Sequence, residues 1–236
     1  MKRSWFLLFF ALIALWPARL PGETCTAAPV REPPRLDSPV WQTVPAYSLV
    51  RLPRFGLRFP PKVQFAWTAT DLWFRFEVRD DDLVDEAPDG LESGLYLFAD
   101  AIELFARPAG SRGYWEFHFT AGGKFGAIHF PSRGRRMPSN VRYLPMPGLA
   151  CTVERDGTLN DGSDHDRCWY GLARIPFTGI ADRGIPFRPG ARLEIQVASV
   201  GYSVWADQDE RALLHYAGGD DDSHNLANWV PLEFQP

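Results

Sequence analysis

Between Tyr114 and Phe119 the sequence reads Tyr-Trp-Glu-Phe-His-Phe. In an extended strand successive side chains point to opposite faces. Trp115, Phe117 and Phe119 therefore share one face, and Tyr114, Glu116 and His118 the other. The first face can sit on a core. The second offers a carboxylate, an imidazole and a phenol, groups that together donate and accept hydrogen bonds and suit a ligand rich in hydroxyls. A second strand, Asp100–Arg107, precedes it, and Pro108-Ala-Gly-Ser-Arg112 supplies the turn between them. Thr120-Ala-Gly-Gly123 ends the hairpin.

The elements that must hold this hairpin are also strands. Asp71–Arg79, DLWFRFEVR, alternates with Leu72, Phe74, Phe76 and Val78 inward and Trp73, Arg75 and Glu77 outward. Lys62–Trp67, Lys124–Phe130, Leu149–Arg155, Cys168–Ile175, Ala191–Val200 and Val230–Phe234 are shorter runs of the same kind, and Tyr47–Leu52 is a further strand-like run. After residue 27 no long stretch carries the i, i+3, i+4 spacing of an amphipathic helix. Short alternating runs with turn punctuation predict an all-β chain, a two-sheet antiparallel β-sandwich, jelly-roll-like, over residues 40–236. Trp41 is expected at the edge of its core. Pro131–Pro147 is a long irregular stretch.

Residues 1–27 read as an export signal. Lys2 and Arg3 form a basic start, and Trp5–Trp16 is an apolar run too short to cross a bilayer. Cleavage after Ala27 or after Gly22 fits, and Gly22-Glu23-Thr24 is a poor lipobox for lipidation at Cys25. A Pro-rich lead-in follows over 28–39. The expected location is secreted or periplasmic, with no membrane contact after cleavage. The chain has 25 basic and 29 acidic residues; three of the basic and one of the acidic lie in 1–27, which leaves a net charge of −6. That balance does not suit a polyanion, and nucleic acid is excluded as a partner. Cys151 and Cys168 remain as an even pair around the turn-rich Asp156–Arg167 and are expected to form a disulfide. On the chain-entropy model it would contribute about 3 kcal/mol.

Three stretches, in order, resemble the family 9 carbohydrate-binding modules. They are Asp100-Ala-Ile-Glu-Leu-Phe with Tyr114-Trp-Glu-Phe-His-Phe, then Gly157-Thr-Leu-Asn with Arg174-Ile-Pro-Phe177, then His224-Asn-Leu-Ala-Asn-Trp229 with the closing strand. The segments Leu36-Asp-Ser-Pro-Val-Trp41 and Asp71–Arg79 are looser echoes, so the resemblance runs from Trp41 to Phe234. It implies a non-catalytic module that clamps a sugar between two aromatic rings, assisted by a strand glutamate and a basic residue. Carried over by position, Glu103 is the glutamate, His118 the basic residue and Tyr96 the first ring. The position of the second ring, around Ser223, holds no aromatic residue, and Trp205 would have to reach in from the preceding loop. The implied partner is a glycan or oligosaccharide.

The resemblance also implies Ca²⁺. Asp80-Asp81-Asp82 and Asp161, Asp164 and Asp166 offer carboxylates to a hard cation, although the same residues serve equally as caps of local N–H groups. Because the fold is similar to that of the DOMON-type cytochrome domains, a haem-binding redox module is the alternative. Met137, Met146, His118, His129, His215 and His224 are the available ligands. A sandwich that has lost sugar binding and docks a protein is the other alternative. No nucleophile elbow, phosphate loop or catalytic carboxylate frame is present, so the chain is not expected to be an enzyme.

Overall fold

The structure is a computed structural model that describes residues 24–91, 94–133, 146–181, 187, 190–206, 209–218 and 221–236. Most of the expected leader, Met137 and residues 134–145 of the 131–147 stretch lie outside the described residues. The strands are β1 (Cys25–Pro29), β2 (Ala46–Ser48), β3 (Val50–Arg51), β4 (Lys62–Trp67), β5 (Asp71–Arg79), β6 (Ala101–Pro108), β7 (Tyr114–Thr120), β8 (Phe125–Phe130), β9 (Ala150–Asp156), β10 (Cys168–Pro176), β11 (Leu193–Gly201), β12 (Glu210–Leu213) and β13 (Val230–Phe234). A single turn of helix, α1 (Phe177–Ile180), follows β10. No helix among the described residues is long and apolar enough to cross a membrane.

The chain is nearly all β, as the alternation predicts, but its strands form one hydrogen-bonded sheet where two were expected. The order is β8-β7-β6-β11-β13-β1-β4-β5-β10-β9, with β2, β3 and β12 attached at the sides. This large mixed sheet is nearly barrel-shaped. Its two arms face each other across the main core: Phe119 of β7 lies 6.0 Å from Phe74 and 5.8 Å from Phe76 of β5. The arms are joined by β1, which pairs in parallel with β13 on one side and β4 on the other. Sequence reading missed this strand because Cys-Thr-Ala-Ala-Pro has neither alternation nor large apolar residues. Small side chains are what the position takes: Cys25 and Ala27 are fully buried in the core. A break after Ala27 would remove most of β1, whereas a break after Gly22 leaves it whole.

Close packing sets several positions. Gly171 of β10 lies opposite Phe76, and a Cβ there would stand 1.8 Å from the buried ring. Trp73, expected to face outward, is buried in a small cluster with Trp41, Val44 and Leu172, because the turn Pro39–Gln42 covers that side of the sheet.

The expected disulfide is not formed. Cys151 and Cys168 are free thiols. On the β9–β10 hairpin Cys168 faces Asp156 and Cys151 faces Ala173, five residues further along. At the rise of a strand this separates them by about 16 Å, well beyond the ~4.4–6.8 Å that a disulfide spans between Cα atoms. Carboxylates tie this loop instead. Asp166 accepts from the backbone N–H groups of Leu83 (2.6 Å) and Thr158 (2.5 Å). The glycines of the two turn motifs make room for such carboxylates: a Cβ on Gly157 would stand 1.9 Å from Asp166 Oδ1, and one on Gly122 2.1 Å from Asp85 Oδ2.

The acids offered to calcium are spent in the same way. Asp82 accepts from Val204 N–H at 2.6 Å, and Asp100 from Val84 and Tyr202 N–H at 2.7 and 2.8 Å. Asp80 accepts from Asp82 N–H, and Asp81 pairs with Arg58 and Ser203. Asp161 accepts from Ser163. Asp164 differs, because its buried Oδ1 makes no hydrogen bond; the oxygens of Asp82 and Asp166 that are turned onto N–H groups do not make the oxygen cage that Ca²⁺ requires.

Candidate functional site

The register of the β6–β7 hairpin builds the site. Glu103 is directly opposite His118, and Phe105 opposite Glu116. Glu116 and His118, two apart on one strand, share the face with Glu103 and Phe105. On the other flank of β6, Ala198 of β11 lies opposite Glu103, and its small side chain leaves the carboxylate open on that side. Below this polar row the same face carries a second apolar cluster of Phe105, Tyr114, Ile128, Phe130, Leu213 and Trp229. The face expected to meet solvent is thus a buried floor. His118 is fully inaccessible, and Glu103 and Glu116 are each about 95% buried.

The polar groups form a chain. His118 Nε2 lies 2.5 Å from Glu116 Oε1 and 3.8 Å from Glu103 Oε1. The second oxygen of Glu116 is 3.6 Å from Nε2 of His224, whose Nδ1 is 2.7 Å from the Tyr114 hydroxyl. Two buried atoms in this cluster make no hydrogen bond, Glu103 Oε1 and His118 Nδ1. Burial pushes the Glu103 carboxyl up to about 7; nearby Glu116 adds to the rise, and His118 and Arg211 oppose it. Burial also disfavours the His118 imidazolium, but its bond to Glu116 and the two carboxylate charges outweigh that, and its pKa lies above the usual imidazole value. Near neutrality Glu103 can therefore both donate and accept a hydrogen bond.

A cleft of about 350 Å³ opens over this floor. Its walls include Phe55, Tyr96, Arg211, Asp222 and His224, with Glu103 and Glu116 at the base. Tyr96 comes from the turn Leu95–Leu97, and its ring centroid is 6.0 Å from that of His118. The Tyr202 hydroxyl donates to the Tyr96 carbonyl at 2.7 Å and fixes this turn. Arg211 lies over the Phe55 ring at 5.8 Å and the Tyr202 ring at 5.6 Å. The opposite rim is held by Arg54, which pairs with Asp221 at 2.8 Å.

Three of the four residues picked from sequence meet here: Tyr96, Glu103 and His118. Trp205 does not line the cleft. It is 45% exposed and stacks on the imidazole of His165, with ring centroids 4.5 Å apart. Sequence reasoning passed over Phe55 and Arg211. Both reach the cleft through the β3–β12 pairing, which has no local signal. The sequence around Ser223 holds no Phe, Tyr or Trp, and Phe55 is the aromatic side chain that joins Tyr96 among the cleft's lining residues. Of the haem ligands, one described pair can be judged. Met146 packs in the main core against Gly179, on the opposite side of the sheet from His118, so the two cannot bind one iron.

Comparison with solved structures shows the fold of the carbohydrate-binding modules. A candidate carbohydrate-binding protein of Bacteroides uniformis superimposes with a TM-score of 0.70 at 13% identity, over 91% of this chain and all of that one. A family 9 carbohydrate-binding module of Caldicellulosiruptor kristjanssonii in complex with cellotriose matches with a TM-score of 0.62 at 12% identity, over 90% of this chain and 94% of that one. The family 9 module from the same organism in complex with glucose gives 0.55 at 13% identity, over 89% and 95%. No protein-family model matches the sequence, and no curated protein matches it significantly. The domain is thus CBM9-like in fold, as the sequence motifs imply.

Proposed function

We propose that this domain is an exported, non-catalytic carbohydrate-binding module whose ligand sits in the cleft between Tyr96 and Phe55. One observation carries the reading: two carboxylates, Glu103 and Glu116, stand at the base of a cleft walled by aromatic rings. Apolar C–H faces of a pyranose pack on such rings, and its hydroxyls need the mixed donors and acceptors that Glu103, Glu116, Arg211 and His224 supply. The cleft volume suits one or two sugar rings. The cellotriose- and glucose-bound modules of the same fold support a glucan as the first ligand to try. Binding is the whole of the proposed role, because Glu116 is committed to His118 and His224. Export rests on the sequence of the leader, and a leader ending at Gly22 leaves β1 intact.

The test is calorimetry of the chain with glucose, cellobiose and cellotriose, followed by a wider glycan array, with and without chelator. Saturable binding that falls at least about tenfold in Glu103→Gln and in Tyr96→Ala, the loss of one charge-assisted hydrogen bond or one stacking ring, is the expected result. Undiminished affinity in both variants would move the site elsewhere, and no binding to any glycan would end the reading.

A further inference from the structure

We propose that Glu103, Glu116 and His118 bind one divalent transition-metal ion of the zinc class at the floor of the cleft. Each of the three offers one ligating atom, and these atoms lie within 4.8 Å of one another. His118 Nε2 faces both carboxylates, at 2.5 Å and 3.8 Å. Small side-chain rotations bring all three to the ~2.0–2.2 Å that zinc takes with imidazole nitrogen and carboxylate oxygen. A second observation points the same way: Glu103 Oε1 is buried beside this nitrogen and makes no hydrogen bond. A buried, unpartnered carboxylate oxygen is costly, and a cation at this point supplies the missing partner.

The donor set selects the ion. Two carboxylates and one imidazole suit Zn²⁺ and its neighbours better than Ca²⁺, which needs six or more oxygens. Two anionic ligands balance the charge of a divalent ion. Three protein ligands leave a fourth position for an exchangeable ligand. The outer shell is in place as well. His224 Nε2 is 3.6 Å from the second oxygen of Glu116, and the Tyr114 hydroxyl at 2.7 Å from His224 Nδ1 fixes its ring. Such partners orient a ligating carboxylate. Binding displaces the proton held between His118 and Glu116, so metal uptake releases protons. This inference does not depend on the glycan reading, because the metal is tested with no sugar present.

The experiment titrates Zn²⁺ into the full chain by calorimetry in two buffers of different ionisation enthalpy, and repeats it with Co²⁺ followed by visible absorption. One ion per chain with proton release is expected. Glu103→Gln and His118→Gln should each weaken binding about tenfold or more, while His165→Ala, exposed and outside the cleft, should leave it unchanged. Circular dichroism shows whether the variants fold. X-ray absorption at the zinc edge of the wild-type complex needs no variant and should show imidazole nitrogen with oxygen. The proposal is overturned by the absence of stoichiometric uptake, by unchanged affinity in folded Glu103→Gln, or by a shell with thiolate sulfur or without imidazole.

Discussion

Two regions that bury carboxylates use them differently. At the ends of β5 and β6, Asp82, Asp100 and Asp166 turn their oxygens onto backbone N–H groups from loops that no strand pairing orders. On the face of β6 and β7, Glu103 and Glu116 gather around one imidazole beneath an open cleft, and one oxygen of Glu103 has no partner. The first set behaves as glue and the second as a receptor. Burial and charge alone do not separate them; what separates them is whether the chain itself already satisfies the oxygens.

The comparison breaks most visibly where the glue is removed. Asp166→Ala leaves the buried N–H of Leu83 and the partly buried N–H of Thr158 without their acceptor and should cost about 2 kcal/mol in chemical denaturation, with ligand affinity of the folded fraction unchanged. Loss of affinity without loss of stability would reverse the roles assigned to the two regions.

Acidity gives the next effect. Burial pushes the Asp80 carboxyl up to about 7, its bond from Asp82 N–H and nearby Arg58 oppose the rise, and Glu210 and Asp81 add to it. Asp100 is also raised, by burial first and then by the charge of Asp80. From the ordinary aspartate range up to about 7, the folded chain therefore holds protons that the unfolded chain has lost. Stability rises as pH falls from 8 toward 5, by roughly 2–4 kcal/mol from Asp80. Melting curves across that window check the sign, and Asp80→Asn should flatten them. A melting temperature that falls toward pH 5 would mean that these oxygens are better served as anions than their surroundings indicate.

In the receptor region substitution acts on binding rather than on stability. Glu103→Gln keeps shape and bulk, and its stability at pH 7 should stay within about 1 kcal/mol of wild type, because the side chain gives up little that the fold uses. Its effect belongs to binding. Trp205→Ala should leave affinity for glucose or cellobiose unchanged, because that ring lies on His165 outside the cleft. The smallest effect is expected from Cys151→Ser with Cys168→Ser, or from reductant: unfolding midpoints should shift by less than about 0.5 kcal/mol in the reductant case, since there is no bridge to lose.

The hairpin was legible because its information is local. Alternation placed Trp115, Phe117 and Phe119 on the core and Glu116 and His118 on the other face, while the family resemblance brought in Glu103 and Tyr96 from the neighbouring segment. Phe55 and Arg211 were not legible, since they arrive through pairings between distant segments. The disulfide failed for a related reason: cysteine count and loop length say nothing of register, and the β9–β10 register sets the thiols five positions apart. The two-sheet expectation failed at β1, whose alanines carry no strand signal because both neighbours leave room for little more.

That first strand also orders events in time. Cys25 pairs with Leu232, and Ala27 with both Phe65 and Phe234. The two arms of the sheet are sealed only when the last residues of the chain reach the first, a contact of nearly maximal sequence separation. Such contacts form slowly. A chain still being synthesised cannot close there, and it stays open along the facing edges of β4 and β13 until β13 has been made.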